Sequence, residues 1–170
     1  MRYFLLVCAF LFASCSRKSA EQLYSEGVKA ENEKQYPVAV ENYKEIIDRY
    51  EQSPLADSAM YRLALVYNND LHETEHAVQT YKLYHQKFYS NPRAATALFL
   101  AAFLMNNDLH QTDSARVAYE KFLQMYPDHQ LAQSAKFELM NLGKDPDQFI
   151  PQTSTETQET IKAPPPHRSK

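Results

Sequence analysis

One five-residue sequence occurs twice in this chain, and the spacing between its copies constrains the fold more than any other feature. The segment Asn68 to His72 reappears residue for residue 38 positions later, as Asn106 to His110. The same spacing relates sets of alanines and aromatic residues: Ala39, Ala77 and Ala115; Tyr43, Tyr81 and Tyr119; Tyr50, Phe88 and Tyr126; Ala59, Ala97 and Ala135; Tyr61, Phe99 and Phe137. A period of roughly 20–50 residues indicates stacked supersecondary units. The sequence therefore predicts a repeat array.

The composition favours helices as the repeating unit. The 170 residues include only 2 glycines and no tryptophan, and alanine, leucine, glutamate and lysine are abundant. The hydrophobic fraction of 44% is enough to bury the core of about one domain. The net charge of −3 comes from interspersed acidic and basic residues, so the chain lacks the basic face that nucleic-acid binding requires.

The first fourteen residues have the layout of a secretory signal peptide. Arg2 precedes an apolar run over residues 3–12, and the small residues Ala13 and Ser14 follow it. The run is shorter than the ~20 residues that a membrane-spanning helix needs. We therefore expect residues 1–14 to be removed during export and to play no part in the fold.

Residues 11–15 resemble the lipobox of bacterial lipoproteins, although Phe12 stands where leucine is usual. The resemblance implies that the thiol of Cys15 is acylated after cleavage, and that Cys8 leaves with the signal. Several acyl chains would anchor the protein stably in a membrane. Ser16 after the cysteine resembles an outer-membrane address, and the basic segment 16–18 favours a periplasm-facing protein. The alternative is an ordinary secretory signal in which Cys15 merely lies near the cleavage site.

Helix-start signals recur along the rest of the chain. Ser19 with Gln22 reads as a capping box, Pro37 fits a first helical position, and Ser53-Pro54 and Asn91-Pro92 combine an N-cap with proline. Thr74, Thr112 and Asp128 predict further starts, and Gly143 fits a position just past a helix end. The predicted helices begin at about residues 19, 37, 53, 74, 91, 112 and 128.

Small and aromatic residues in residues 19–142 follow the spacing of the tetratricopeptide repeat, which these residues resemble. The residues that carry the resemblance are Gly27, Tyr36, Ala39, Tyr43, Ala115, Tyr119 and Pro127. The copies exceed the 34-residue consensus, with the extra residues in the turns around 50–54 and 70–74. The segment from Ser53 to Ala64 is similar to the longer repeats of BamD-like and CpoB-like bacterial envelope proteins. The resemblance implies an all-α superhelix of three helical hairpins with a C-terminal capping helix, over residues 19–143.

The resemblance also implies a binding surface, since the first helix of each hairpin lines the inner groove in this family. The positions that correspond to ligand contacts carry an apolar stripe followed by side-chain amides. These residues are Tyr24, Val28, Tyr61, Leu65, Asn69, Phe99, Phe103 and Asn107. Such a surface suits an extended peptide or a partner helix. The alternative is that the rings of Tyr61 and Phe99 are buried by neighbouring helices.

One sequence matches a catalytic motif. Residues 72–76 read His-Glu-x-x-His, which on a single helix places two zinc ligands and a general base on one face. The match straddles the helix start predicted at Thr74, and the equivalent residues 110–114 keep only the first histidine. We therefore expect a turn sequence, and we keep a metal-dependent hydrolase that uses His72 and His76 only as the alternative function.

The final segment, residues 144–170, is rich in proline, threonine and glutamine and predicts disorder, apart from the apolar pair Phe149-Ile150. The complete prediction is a signal peptide over 1–14, a lipid-anchored linker over 15–18, a repeat domain over 19–143 and this tail. It describes a non-enzymatic scaffold without a cofactor, which binds a protein or peptide partner in the bacterial envelope. Outer-membrane protein assembly of the BamD type is the expected process, and cell-wall coordination of the CpoB type is the alternative. The three and a half repeats here are fewer than those of BamD-like proteins.

Overall fold

The computed structural model describes residues 17–144, and every regular element in that range is helical. The elements are α1 (Ala20–Asn32), α2 (Tyr36–Arg49), α3 (Ala56–Leu65), a π-helical turn (Val66–Asp70), α4 (Thr74–Lys87), α5 (Arg93–Asn107), α6 (Thr112–Met125) and α7 (Ala132–Asn141). None of these helices has both the length and the hydropathy needed to cross a bilayer. The predictions for the signal peptide, for Cys15 and for the tail beyond Lys144 lie outside the described residues.

The helices pack in the order of the chain. Each one contacts the helix before it and the helix after it, so that α1/α2, α3/α4 and α5/α6 form hairpins and α7 packs on α6. This confirms the prediction of an all-α array with three helical hairpins and a terminal helix. A single hairpin cannot bury its own apolar face, and stacking the hairpins produces one continuous core.

The 38-residue period extends to backbone conformation in the turn that joins the two helices of each hairpin. Lys34, His72 and His110 are the non-glycine residues with positive φ in the described chain, at 59°, 55° and 53°. The next residue in each copy is the N-cap of the second helix, with φ near −90° and ψ near 60°. The left-handed conformation reverses the chain direction in a short turn. The repeat thus conserves a backbone path even where its side chains differ.

The core consists of repeated alanines and tyrosines. Ala39, Ala77 and Ala115 are fully buried, and they let the helices approach closely. Tyr43, Tyr81 and Tyr119, one turn further along the same helices, are also buried and fill the space toward the first helix of each hairpin. The small and aromatic residues that share the 38-residue period are therefore core residues.

The capping box at the first helix is present as predicted, because Ser19 Oγ accepts from Gln22 N at 3.3 Å and Gln22 Oε1 accepts from Ser19 N at 2.9 Å. Other helix starts differ from the prediction. Thr74 and Thr112 are first helical residues, and the residues before them cap without a side-chain bond. α3 and α7 begin later than predicted, at Ala56 and Ala132.

These later starts have a shared cause, which is a tight turn at equivalent positions before α3, α5 and α7. The carbonyl groups of Ser53, Asn91 and His129 accept from the backbone N–H three residues on, at 2.8–3.0 Å. Their side chains accept from the N–H two residues on, at 3.2, 2.9 and 3.2 Å. A hydroxyl, an amide and an imidazole thus satisfy the same backbone group in successive repeats. The role of His129 was not predicted from the sequence.

Candidate functional site

The predicted groove face lies on α1, α3, the π-helical turn that follows α3, and α5, and its residues differ widely in exposure. Asn69 and Asn107 are exposed, whereas Tyr24, Val28, Tyr61 and Leu65 are partly buried. Phe103 is 37% exposed, but Phe99 is only 9% exposed. The face is therefore a mixture of core residues and residues that a partner can reach.

Phe99 belongs to the core, which corrects its assignment to a partner-binding surface. Its ring packs edge-on against Tyr119 and Phe122 of α6, with centroid distances of 5.7 and 5.9 Å. On its other side it stacks against Phe103, at 6.4 Å. Phe99 therefore supports the exposed ring of Phe103 and offers little surface of its own.

Tyr61, the equivalent residue on α3, is covered from two sides. Its ring contacts the rings of Tyr81 and Tyr84 of α4 edge-on, at 5.9 and 5.3 Å. The guanidinium of Arg93 lies 5.4 Å from the ring centroid, within the range of a cation–π interaction. Tyr61 can reach a partner only at its edge or after Arg93 moves aside.

A polar network joins the first hairpin to α3 and includes Tyr24, one of the predicted groove residues. The hydroxyl of Tyr43 donates to the carboxylate of Glu31, and Arg62 Nη1 lies 2.7 Å from Glu31 Oε2. Arg62 Nε also donates to the hydroxyl of Tyr24, at 3.2 Å. Burial, together with the bond to Glu31, raises the pKa of Tyr43, so this tyrosine stays protonated and remains a donor. The network fixes α1 against α3 through side chains of three helices.

This network is not repeated in the other hairpins. The offset from α1 to α3 is 37 residues, so Asn68 and, 38 residues later, Asn106 stand at the position of Glu31. Leu100 and Glu138 stand at the position of Arg62. The hydroxyl of Tyr119, equivalent to that of Tyr43, is buried without a hydrogen-bond partner in residues 17–144. Burial, and secondarily the charge of Glu138, raises the pKa of Tyr119. Sequence reasoning missed the network, and the only available signal was opposite charge at positions 31 and 62.

The asparagine pairs form the same contact in both copies. Asn68 Nδ2 donates to Asn69 Oδ1 at 2.7 Å, and Asn106 Nδ2 donates to Asn107 Oδ1 at 3.2 Å. Asn107 Nδ2 also donates to the carbonyl of Phe103, at 3.1 Å. Each pair therefore keeps some amide groups available to bond a ligand. The pairs lie about one turn beyond the apolar groove residues Leu65 and Phe103.

The histidine motif does not form a zinc site. His72 lies in the turn with φ of 55°, whereas His76 lies within α4, so the two side chains do not share a helix face. His76 Nδ1 lies 3.0 Å from Glu73 Oε2, and its ring stacks on that of Tyr67 with centroids 5.1 Å apart. Within residues 17–144 no three His, Cys, Asp or Glu side chains are grouped so that they could hold a metal ion. Residues 72–76 thus lack the single-helix geometry that the zinc motif requires.

Residues 96–129 match the model of the tetratricopeptide repeat family. The matched segment begins in α5 and ends just after α6, so it corresponds to the third hairpin. No curated protein matches the sequence significantly. Repeats of this type are typically non-catalytic and mediate protein–protein interactions. The chain thus contains a tetratricopeptide repeat within an all-α array of hairpins.

Proposed function

We propose that this tetratricopeptide repeat protein is a non-enzymatic scaffold that binds an extended peptide or a partner helix along the groove face of α1, α3 and α5. The observation that supports it is the repetition of accessible apolar residues at equivalent positions. Val28, Leu65 and Phe103 supply one such residue in each hairpin, and the exposed amides of Asn69 and Asn107 follow the second and third. Apolar side chains supply affinity, and amides bond to the backbone of the partner.

We further propose that the scaffold acts in the bacterial envelope. Residues 11–15 resemble a lipobox, so an acyl anchor at Cys15 would hold the protein at the outer membrane, facing the periplasm. The similarity to BamD-like repeats favours outer-membrane protein assembly, and the similarity to CpoB-like repeats favours cell-wall coordination. Incorporation of labelled palmitate that is lost in Cys15→Ser would support the anchor. Labelling that persists in Cys15→Ser would contradict it.

Crosslinking and co-purification from membranes, with the native anchor in place, test the binding surface. The double variant Leu65→Ala, Phe103→Ala should lose its captured partner and keep the helical content of the parent protein. The matched control is Leu83→Ala, Met125→Ala, which truncates two exposed apolar residues on α4 and α6. Equal capture by the two double variants would contradict the proposed surface.

A further inference from the structure

A cavity of about 340 Å³ lies between α4, α5 and α6, away from the predicted groove face. Its apolar lining includes Leu98 and Met105 of α5 and Val117 of α6. Lys82 of α4 and Lys121 of α6 also line it, and Ser114 lies toward the start of α6. Val117 is 65% exposed, so the cavity opens to solvent on the α6 side. The cavity is thus an apolar recess with two cationic residues.

The equivalent place one repeat earlier is filled. Tyr67 and His76 occupy the positions of Met105 and Ser114, and their rings stack with centroids 5.1 Å apart. Lys44, the equivalent of Lys82, lies 5.7 Å from the ring centroid of Tyr67. The two rings therefore occupy the space beside Lys44 of α2. Methionine and serine at the equivalent positions line a cavity instead.

The charges around the cavity are also unbalanced. Neither Lys82 nor Lys121 belongs to any of the ion pairs formed within residues 17–144. Lys121 has replaced Leu83 of the preceding repeat, and Val117 has replaced Gln79. The repeat that has Met105 and Ser114 in place of two rings thus also has a second lysine and an added apolar side chain beside the cavity. An occupant that complements both features presents apolar side chains beside carboxylates.

We propose that the occupant is the chain's own segment 145–150, with Phe149 and Ile150 in the recess and Asp145 and Asp147 toward the two lysines. The tail from residue 144 onward has few other apolar side chains, and these two lie close to a pair of acidic residues. The segment would join the tail to a part of the array that contains none of the predicted groove residues, which leaves those residues free for a partner.

The chain leaves the described fold close to the cavity. A methyl group at Gly143 would lie 3.6 Å from Thr112 Cγ2, and Thr112 is two residues from Ser114 at the cavity edge. Five residues of extended chain reach roughly 17 Å, more than the ~10–12 Å diameter of a helix. Phe149 can therefore pass around the start of α6 and enter the recess.

Photocrosslinking in the full chain tests this assignment. p-Benzoylphenylalanine in place of Val117 should form intramolecular crosslinks to residues 145–150, identified by mass spectrometry. The matched control places the same probe at Gln79, the equivalent position beside the filled interface, and should not crosslink there. Adding Lys82→Glu and Lys121→Glu to the Val117 probe should lower the yield by about fivefold, as expected for partly exposed ion pairs.

Three outcomes would overturn the proposal: no crosslink to residues 145–150 from position 117, the same yield from position 79, or crosslinks that join two copies of the chain. A second measurement does not depend on the probe. Phe149→Ala with Ile150→Ala should increase hydrogen exchange in α6 around Val117, whereas Thr153→Ala with Thr155→Ala should leave that exchange unchanged. Unchanged exchange in both double variants would also overturn the proposal.

Discussion

The ring of Tyr43 lies against the α-carbon of Gly27, so closely that a β-carbon at Gly27 would be 2.6 Å from Tyr43 Cε1. The equivalent positions, 37 residues on in α3 and a further 38 residues on in α5, hold Ala64 and Ala102. The first hairpin differs because the hydroxyl of Tyr43 is bonded to Glu31, which in turn pairs with Arg62. The bond to Glu31 holds the Tyr43 ring against position 27, where only glycine leaves enough space.

Gly27→Ala should therefore destabilise the protein. Alanine has a higher helix propensity than glycine by about 1 kcal/mol, but overpacking against a held ring costs about 1–3 kcal/mol. We expect a net loss of about 1 kcal/mol, measured by urea denaturation. Ala64→Gly is the control, and it should lose about 0.5–1 kcal/mol through propensity and further stability through the loss of a buried methyl group. A more stable Gly27→Ala variant would show that the ring moves freely.

Removing the hydroxyl from equivalent tyrosines should have opposite effects. Tyr43→Phe breaks a bond to a carboxylate and should cost about 1–3 kcal/mol. Tyr119→Phe removes a buried hydroxyl that has no partner in residues 17–144, so stability should stay the same or rise by up to about 1 kcal/mol. Thermal denaturation of both variants checks this. Equal losses in the two variants would contradict the assigned difference.

Glycine at His72 should be tolerated or stabilising, because His72 has a φ of 55°. The left-handed conformation costs a non-glycine residue about 1–2 kcal/mol, and part of this is offset by the greater freedom of glycine in the unfolded chain. We expect a gain of about 0.5 kcal/mol. His110→Gly should behave in the same way, since its φ is 53°. The control Gln79→Gly, inside α4, should lose about 1 kcal/mol. A loss at His72 as large as that of the control would contradict the prediction.

The stability of the fold should fall as the pH drops below about 6.5 because of His85. Burial lowers the pKa of His85 below its ordinary value of 6.5, and the charge of Lys121 lowers it further. Below pH 6.5 the unfolded chain takes up a proton that the folded chain resists until its own lower pKa is reached. The free energy of unfolding therefore decreases across that interval, while above pH 6.5 both states are neutral at this site.

Urea denaturation at a series of pH values between 7.5 and 5 measures this effect. His85→Gln should flatten the slope, because it removes the titrating group and keeps a polar partner for the Tyr126 hydroxyl, which lies 3.2 Å from His85 Nε2. His110→Gln, in an exposed turn, is the control. An unchanged slope in His85→Gln would assign the acid sensitivity to other groups.

Much of the fold could be predicted because small and aromatic residues recur every 38 residues. Ala39, Ala77 and Ala115 recur with the tyrosines one turn later, and such spacing on helices has few packing solutions. The helix starts were less predictable. Ser53 and Asn91 have familiar capping side chains, but His129 fills the same role through its ring nitrogen, and no propensity scale anticipates that.

The candidate site was predicted only in outline. Register alone could not separate Phe99 from Phe103, because the two residues are one turn apart on the same helix and differ only in whether α6 covers them. The pairing of Glu31 with Arg62 joins residues 31 positions apart, so it depends on how the first hairpin meets α3. The cavity at Met105 and Ser114 became visible only by comparison with the rings that fill its counterpart.

The helices, their order and the spacing of their small and aromatic residues follow from the sequence, because they depend on local interactions and on the 38-residue repeat. Which rings are covered, which charges are paired and where space remains follow only from the packing of the helices. Those outcomes depend on contacts between helices, whose energies come from the shape and charge of facing side chains, and no single stretch of sequence contains both partners.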